Sequence, residues 1–330
     1  MEIITSIIDQ IKGFFNYQGL FELIEKGDYS VFLSYDGMVS LIAPLFPLIL
    51  VIEFIRGIVF SKLKVIDYKI SFFTYVINSI IGRFISIGMT MYCIGLLEGK
   101  SLWILPLNVW GFVLGYVAWE FGHFWYHFLA HKVRLFWCLH STHHAPSSMN
   151  LSISWAHFFL EAPYADIIRT SICMVLGVPP VMLFAIMFID GTWGSFIHIG
   201  ESLLKKADLG VLGKFILTPS HHRVHHAKNL KYMDTNYCNL LNIWDRIFKT
   251  YQPEIEEEKI VYGITRDVDP RNFSDAYFGE IVLLAKDVFL APGMVNKVKY
   301  LFMPPGWSHT GEHKTVSALR AVETNSNPSQ

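Results

Sequence analysis

Long apolar runs dominate the first two-thirds of the chain. Ile3, Ile4, Ile7, Ile8, Ile11, Phe14 and Phe15 recur at helical spacing, with Glu2, Asp9 and Lys12 between them. This predicts an amphipathic segment over 1–36, lying on a bilayer surface or packed on the protein. The start Met1-Glu2 lacks a basic stretch, so no secretory signal is expected. Three apolar stretches follow, Gly37–Phe60, Ile70–Leu97 and Leu102–Phe121. Each is long enough to cross roughly 30 Å of hydrocarbon, giving predicted transmembrane helices over 37–122. Arg83 interrupts the second, as an arginine facing the protein interior (the preferred reading) or as the mark of a long, tilted helix.

A fourth apolar region runs from Ile167 to Ile199 and is broken by Gly177-Val178-Pro179-Pro180. Two prolines remove two backbone donors and bias the preceding residue away from helix, so 167–199 reads as a helical hairpin in the membrane. From Glu201 the chain becomes more polar and reads as soluble. Its end, 314–330, is rich in Ser, Asn, Thr and Glu and is expected to be disordered. Periodicity and composition together predict an all-α fold, an integral membrane helical bundle under a cytosolic histidine-rich helical cap.

Composition supports the membrane reading. Of 330 residues, 52% are hydrophobic and 17% charged, against about 25% charged in soluble domains. The net charge of −1 gives no basic surface for nucleic acid. Cys93, Cys138, Cys173 and Cys238 are far apart and form no CxxC pair, which suits buried free thiols. Orientation follows from loop charge. Arg56, Lys62, Lys64 and Lys69 flank the connector after the first span, whereas the N-terminal segment is acidic. The basic connector is therefore expected in the cytoplasm. The third span then returns there, and the hairpin keeps every later histidine on the same side.

Histidine is the unusual count, with fourteen in the chain, twelve of them between His123 and His226. His127 and His131 are four apart and share a helix face, as a pair holding one metal requires. His140-x2-His143-His144 and His222-x2-His225-His226 repeat a tighter pattern. Positions i, i+3 and i+4 converge on one side of a helix, while adjacent histidines point about 100° apart. One cluster can therefore serve two metals. Neutral imidazoles are costly to crowd unless a metal gathers them, and eight are too many for one centre. His123, one turn before His127, and His221 are candidate donors from behind the ligands. So are Glu120, Glu161, Asp190 and Glu201. His157 reads as an ordinary polar residue, and His309 and His313 as surface residues. Trp103, Trp110, Trp119, Trp125, Trp137 and Trp155 are expected at the membrane interface or along a substrate path. Imidazole suits zinc, copper, iron and nickel alike, so the residues alone leave the metal open.

The run Thr218-Pro219-Ser220-His221-His222-Arg223-Val224-His225-His226 resembles the fatty acid hydroxylase / sterol desaturase superfamily of membrane di-iron enzymes. So do Asp234-x-Asn236-Tyr237, Trp244-Asp245-Arg246-Ile247-Phe248 and Val261-Tyr262-Gly263. The likeness covers roughly Glu120–Arg271 and is greatest to its alkylglycerol monooxygenase branch, which Asn150-Leu151-Ser152 also matches. The chain departs from that branch at Phe128, Lys132 and near Ala156, where arginine, glutamate and arginine are usual. The resemblance implies a catalytic region over 123–313 holding two Fe ions, with O2 as co-substrate and a membrane lipid as substrate. The implied ligands are His127, His131, His140, His143, His144, His198, His222, His225 and His226. Hydroxylation and desaturation both remain open, as does a non-catalytic metal-binding protein. A haem protein fits less well, because the histidines cluster in short motifs. The chain carries no GxGxxG after a strand, no iron–sulfur cysteine pattern and no CxxCH. An external electron donor is therefore expected, a ferredoxin, a cytochrome or a reduced pterin.

Overall fold

The computed structural model describes residues 42, 45–60, 64–269 and 272–326. The predicted amphipathic segment 1–36 lies outside the described residues. The chain divides into two compact units, Met1–Leu63 and Lys64–Gln330. In the first, helix α1 (Leu45–Val59) is the described part of the first predicted span. All fourteen histidines lie in the second unit.

Its helices are α2 (Val65–Ile77), α3 (Arg83–Leu97), α4 (Val109–Lys132), α5 (Arg134–His144), α6 (Glu161–Val175), α7 (Pro180–Phe196) and α8 (Pro219–His225). Then come α9 (Ile243–Ile247), α10 (Phe273–Leu290), α11 (Gly293–Phe302) and α12 (Val316–Ser326). The fold is all-α, with no β-strand among the described residues beyond two isolated bridges. A π-turn, Asn78–Gly82, joins α2 to α3, making one helical run of 33 residues, Val65–Leu97. Among the described residues, this run alone is long and apolar enough to cross a bilayer. At 1.5 Å per residue it measures about 50 Å, longer than the hydrocarbon layer. Arg83 is exposed on it rather than interior, so the long-helix reading replaces the preferred one.

The predicted helix over Leu102–Phe121 is corrected, because α4 starts only at Val109. Asn108 caps it, its side chain accepting from the Gly111 N–H at 3.0 Å. The apolar residues before it are non-helical and lie along the hairpin turn, where the Leu102 and Leu105 N–H groups donate to the Val175 and Gly177 carbonyls. Gly177 has φ +77, and a Cβ there would collide with the Trp103 carbonyl. The Gly-Val-Pro-Pro break thus folds α6 back into α7 and receives the loop. At 15 and 17 residues, these two helices are shorter than a full span.

Helix α4 is the central post. It packs on α6, α5 and α7, and α6 packs in turn on α3. Gly122 lets α4 approach α6 closely, since a Cβ there would lie 2.9 Å from the Arg169 Cα. Trp119, expected near the interface, is buried in this core with the Arg169 guanidinium 4.6 Å from its ring. All four cysteines are buried and free. The expected disorder over 314–330 is corrected for 316–326, which form α12. Thr315 starts this helix by accepting from the Ala318 N–H. Arg320 anchors it by donating to the Leu230, Lys231 and Met233 carbonyls. The polar composition conceals this single arginine, on which the helix depends.

Candidate metal centre

The structure brings all nine predicted ligands together in two buried groups. One contains His127, His131, His140, His144 and His225, the other His143, His198, His222 and His226. Within each group one ring nitrogen per residue lies within 4.8 Å of the others. Helix α4 supplies His127 and His131, α5 ends in His140, His143 and His144, and α8 supplies His222 and His225 with His226 at its end. Adjacent histidines part as helical geometry demands, with His143 and His144 in different groups, as are His225 and His226. His198, just past α7, completes the four-residue group.

The backbone around the groups fixes the tautomers. His127 Nδ1 lies 2.9 Å from the Tyr237 carbonyl, His225 Nδ1 2.8 Å from Thr235 and His198 Nδ1 2.6 Å from Gly194. A carbonyl only accepts, so each Nδ1 carries the proton and each Nε2 presents a lone pair. These Nε2 atoms point at one another. His140 Nε2 is 3.0 Å from both His127 Nε2 and His144 Nε2. In the other group His198 Nε2 is 3.1 Å from His143 Nε2 and 2.9 Å from His222 Nε2, itself 3.0 Å from His226 Nε2. His131 Nε2 and His225 Nε2 have no hydrogen-bond partner at all.

Converging lone pairs repel unless a cation lies between them, so this donor set fits two metal ions. Neighbouring ring nitrogens lie 2.9–3.1 Å apart, close enough for each group to share one ion. Burial, and then the neighbouring imidazoles, hold His127, His143, His144, His222, His225 and His226 well below the ordinary histidine pKa. Burial takes His131 down to about 4. All stay neutral, as ligation requires.

Of the four acids expected to orient histidines, Glu161 and Asp190 touch one. Glu161 Oε1 accepts from His140 Nδ1 at 2.6 Å, and Oε2 lies 2.9 Å from His157 Nδ1. Burial alone would raise this carboxyl, yet the two imidazoles hold it down to about 2. Asp190 lies 3.5 Å from His123 Nδ1, and His123 is outside both groups. Glu120 instead accepts from the backbone N–H groups of Asn239, Leu240 and Leu241, tying that segment to α4. Glu201 accepts from the Tyr262 hydroxyl. His221 caps α8 with Thr218 and meets the Tyr251 hydroxyl at 2.8 Å, also outside both groups. His157 is more than an ordinary polar residue, because it stacks on His143 with ring centroids 4.1 Å apart.

Sequence reasoning gave no role to Asp234, which pairs with Lys132 and lies 3.6 Å from His131 Nδ1. The signal was present in Asp234-x-Asn236-Tyr237. Asp234 and Asn236 adopt φ of 62 and 57, and the carbonyls of the intervening Thr235 and of Tyr237 hold His225 and His127. The Asn236 amide donates to the His221 and Gln252 carbonyls, fixing this loop against α8.

Two cavities reach the histidines. The first, about 450 Å³, touches both groups through His127, His140, His143, His198 and His222, and opens along Ser79, Arg83 and Ser86 of the long apolar run. The second, about 440 Å³, meets only the five-residue group, through His131, His144 and His225. Charged residues, among them Arg134, Lys228, Asp234 and Lys314, line it.

Comparison with known proteins agrees with this arrangement. Residues 112–250 match the fatty acid hydroxylase family model. Alkylglycerol monooxygenase of Homo sapiens is 32% identical over 225 residues, 68% of this chain and 48% of the relative. The Xenopus tropicalis alkylglycerol monooxygenase is 32% identical over 205 residues, 62% and 44% of the two chains. An ornithine lipid hydroxylase of Rhizobium tropici is 30% identical over 157 residues, 47% and 46%. The chain therefore spans about half the length of the curated relatives it matches. No solved structure matches it. The matched region 112–250 runs from α4 through α9 and contains every histidine of both groups, and through it the chain belongs to the fatty acid hydroxylase superfamily.

Proposed function

We propose that this chain is an integral membrane, non-haem di-iron oxygenase that hydroxylates a lipid using O2 and an external reductant. The observation that carries the reading is the convergence of nine buried Nε2-type donors into a group of five and a group of four. When bound, two irons supply the oxidation of an unactivated C–H bond by molecular oxygen. Hydroxylation is favoured over desaturation because the relatives are named as a monooxygenase and a hydroxylase.

The chain's own residues do the rest. Tyr237, Thr235 and Gly194 carbonyls and the Glu161 carboxylate hold ring protons at Nδ1, so that Nε2 is free on each of the rings they bind. Every histidine of both groups is buried. The first cavity joins the histidines to the apolar run, giving a lipid chain a route from the bilayer with Phe159, Ala162 and Ala165 along its walls. The second cavity offers a separate approach, with charged residues on its walls, for an electron donor, whether ferredoxin, cytochrome or reduced pterin. Loop charge puts the basic connector that precedes the apolar run on the cytoplasmic side.

The test is lipid analysis of a host expressing the chain, with His143→Ala as control, together with metal analysis of both proteins. The expected result is a lipid species heavier by one oxygen and about two irons per chain, both lost in the variant. Unchanged lipids from a protein that also holds no iron would refute the proposal.

A further inference from the structure

The hairpin formed by α10 and α11 follows the metal centre in a region whose polar sequence reads as soluble. One side of it is well used. Leu284, Ala291 and Tyr300 pack with Cys138 of α5, and the Cys138 thiol donates to the Glu280 carbonyl. The other side is apolar and open. Phe278, Val282 and Phe289 recur at helical spacing along α10, and Met294, Val295 and Phe302 continue the face on α11. The tip is the most exposed part, with Phe289 81%, Leu290 65%, Met294 73% and Val295 69% accessible. Continuous exposed apolar surface of this kind marks a membrane or protein contact.

We propose that this hairpin is a second membrane anchor, lying in the bilayer interface with its tip among the acyl chains. Two features select lipid over a second copy of the chain. Lys286, Lys297 and Lys299 border the apolar face. In a symmetric dimer they would meet their own kind, whereas in a bilayer they reach anionic headgroups. The hairpin also begins beside the apolar run Val65–Leu97. The Phe73 ring on α2 lies 5.5 Å from Phe273 at the start of α10, and Phe72 and Phe73 are themselves exposed. The hairpin thus adds an apolar surface next to that run, and α10 packs on the helix that carries His140, His143 and His144. This anchor would fix the height of the histidine groups above the lipid, independently of which reaction they perform.

Site-directed fluorescence on the full chain in phosphatidylcholine–phosphatidylglycerol nanodiscs tests the proposal. The native cysteines are all buried, so introduced ones label selectively. A polarity-sensitive dye is placed at Phe289→Cys or Met294→Cys, with Glu257→Cys as the aqueous reference and Phe84→Cys on the apolar run as the bilayer reference. Circular dichroism checks that each labelled protein is folded. The expected result is several-fold stronger quenching by nitroxide-bearing lipid, and several-fold weaker quenching by iodide, at Phe289 and Met294 than at Glu257. If Phe84 is lipid-quenched while Phe289 and Met294 behave like Glu257, the hairpin proposal fails alone. If Phe84 also behaves like Glu257, the membrane reading itself fails. Efficient disulfide cross-linking between Phe289→Cys chains, with iodide protection that persists in detergent, would assign the face to a second copy and overturn the anchor.

Discussion

Removing the Glu161 carboxylate should loosen one metal group without unfolding the protein. Glu161 is buried, its Oε1 accepting from His140 and its Oε2 facing His157 Nδ1 at 2.9 Å. His140 Nε2 lies 3.0 Å from two other ring nitrogens of the five-residue group, so its orientation sets the geometry of three donors. A hydrogen bond to a charged group contributes about 1.5–3 kcal/mol, and removing such a support behind a ligand typically costs 10–100-fold in metal affinity. At roughly 1.4 kcal/mol per factor of ten, these two scales agree. Glu161→Gln keeps an acceptor for His140 but turns an amide NH2 toward His157, and should weaken retention about 10-fold. Glu161→Ala leaves His140 without its partner and should approach 100-fold. The assay is metal content after dialysis against graded chelator, with Glu201→Gln as control because Glu201 meets Tyr262 and no histidine of either group. Chelator resistance equal to wild type in both Glu161 variants would refute the orienting role.

Further outcomes follow from the packing and the charge states. Gly122→Val should lower the melting temperature, because its Cβ would press on the Arg169 backbone at 2.9 Å. Overpacking of this kind costs about 1–3 kcal/mol, and an unchanged melting temperature would show that the α4–α6 contact can widen freely. Metal-free protein should lose stability on acidification. His131 titrates at about 4 when folded against about 6.5 unfolded, so the unfolded chain binds more protons between those values. Stability is then full above about pH 6.5 and falls toward pH 4, by on the order of 3 kcal/mol for this residue, measurable by denaturant unfolding with His131→Gln as control. Ala165→Phe, which fills the first cavity, should cut lipid turnover at least about 10-fold while iron content stays at wild-type level. Turnover that survives would direct the substrate elsewhere.

Helical spacing made much of this site legible. The i, i+4 pair on α4 and the two HxxHH runs were readable as imidazoles that gather in space, and the 100° step between neighbours anticipated their division between two groups. The double proline likewise marked the α6–α7 turn. What stayed hidden depends on long-range contacts. Hydrophobicity alone extended a helix through Leu102–Leu107, where Asn108 capping and the hydrogen bonds of Leu102 and Leu105 to the hairpin turn hold non-helical chain. Glu120 carries no sign that its partners are backbone groups about 120 residues away. Asp234 lies 103 positions from His131 in sequence, and only the fold brings them to 3.6 Å. The polar tail reads as disordered because one arginine, which ties it down, barely alters its composition.

Metal content and ligand environment test the two-centre arrangement most directly. Protein purified from iron-supplemented cells should carry two irons per chain by elemental analysis, with X-ray absorption showing nitrogen and oxygen ligands and no sulfur. Replacing His131 and His225 together should empty the five-residue group first. Stoichiometric binding of a single ion, or iron ligated by sulfur, would contradict two imidazole-bound irons.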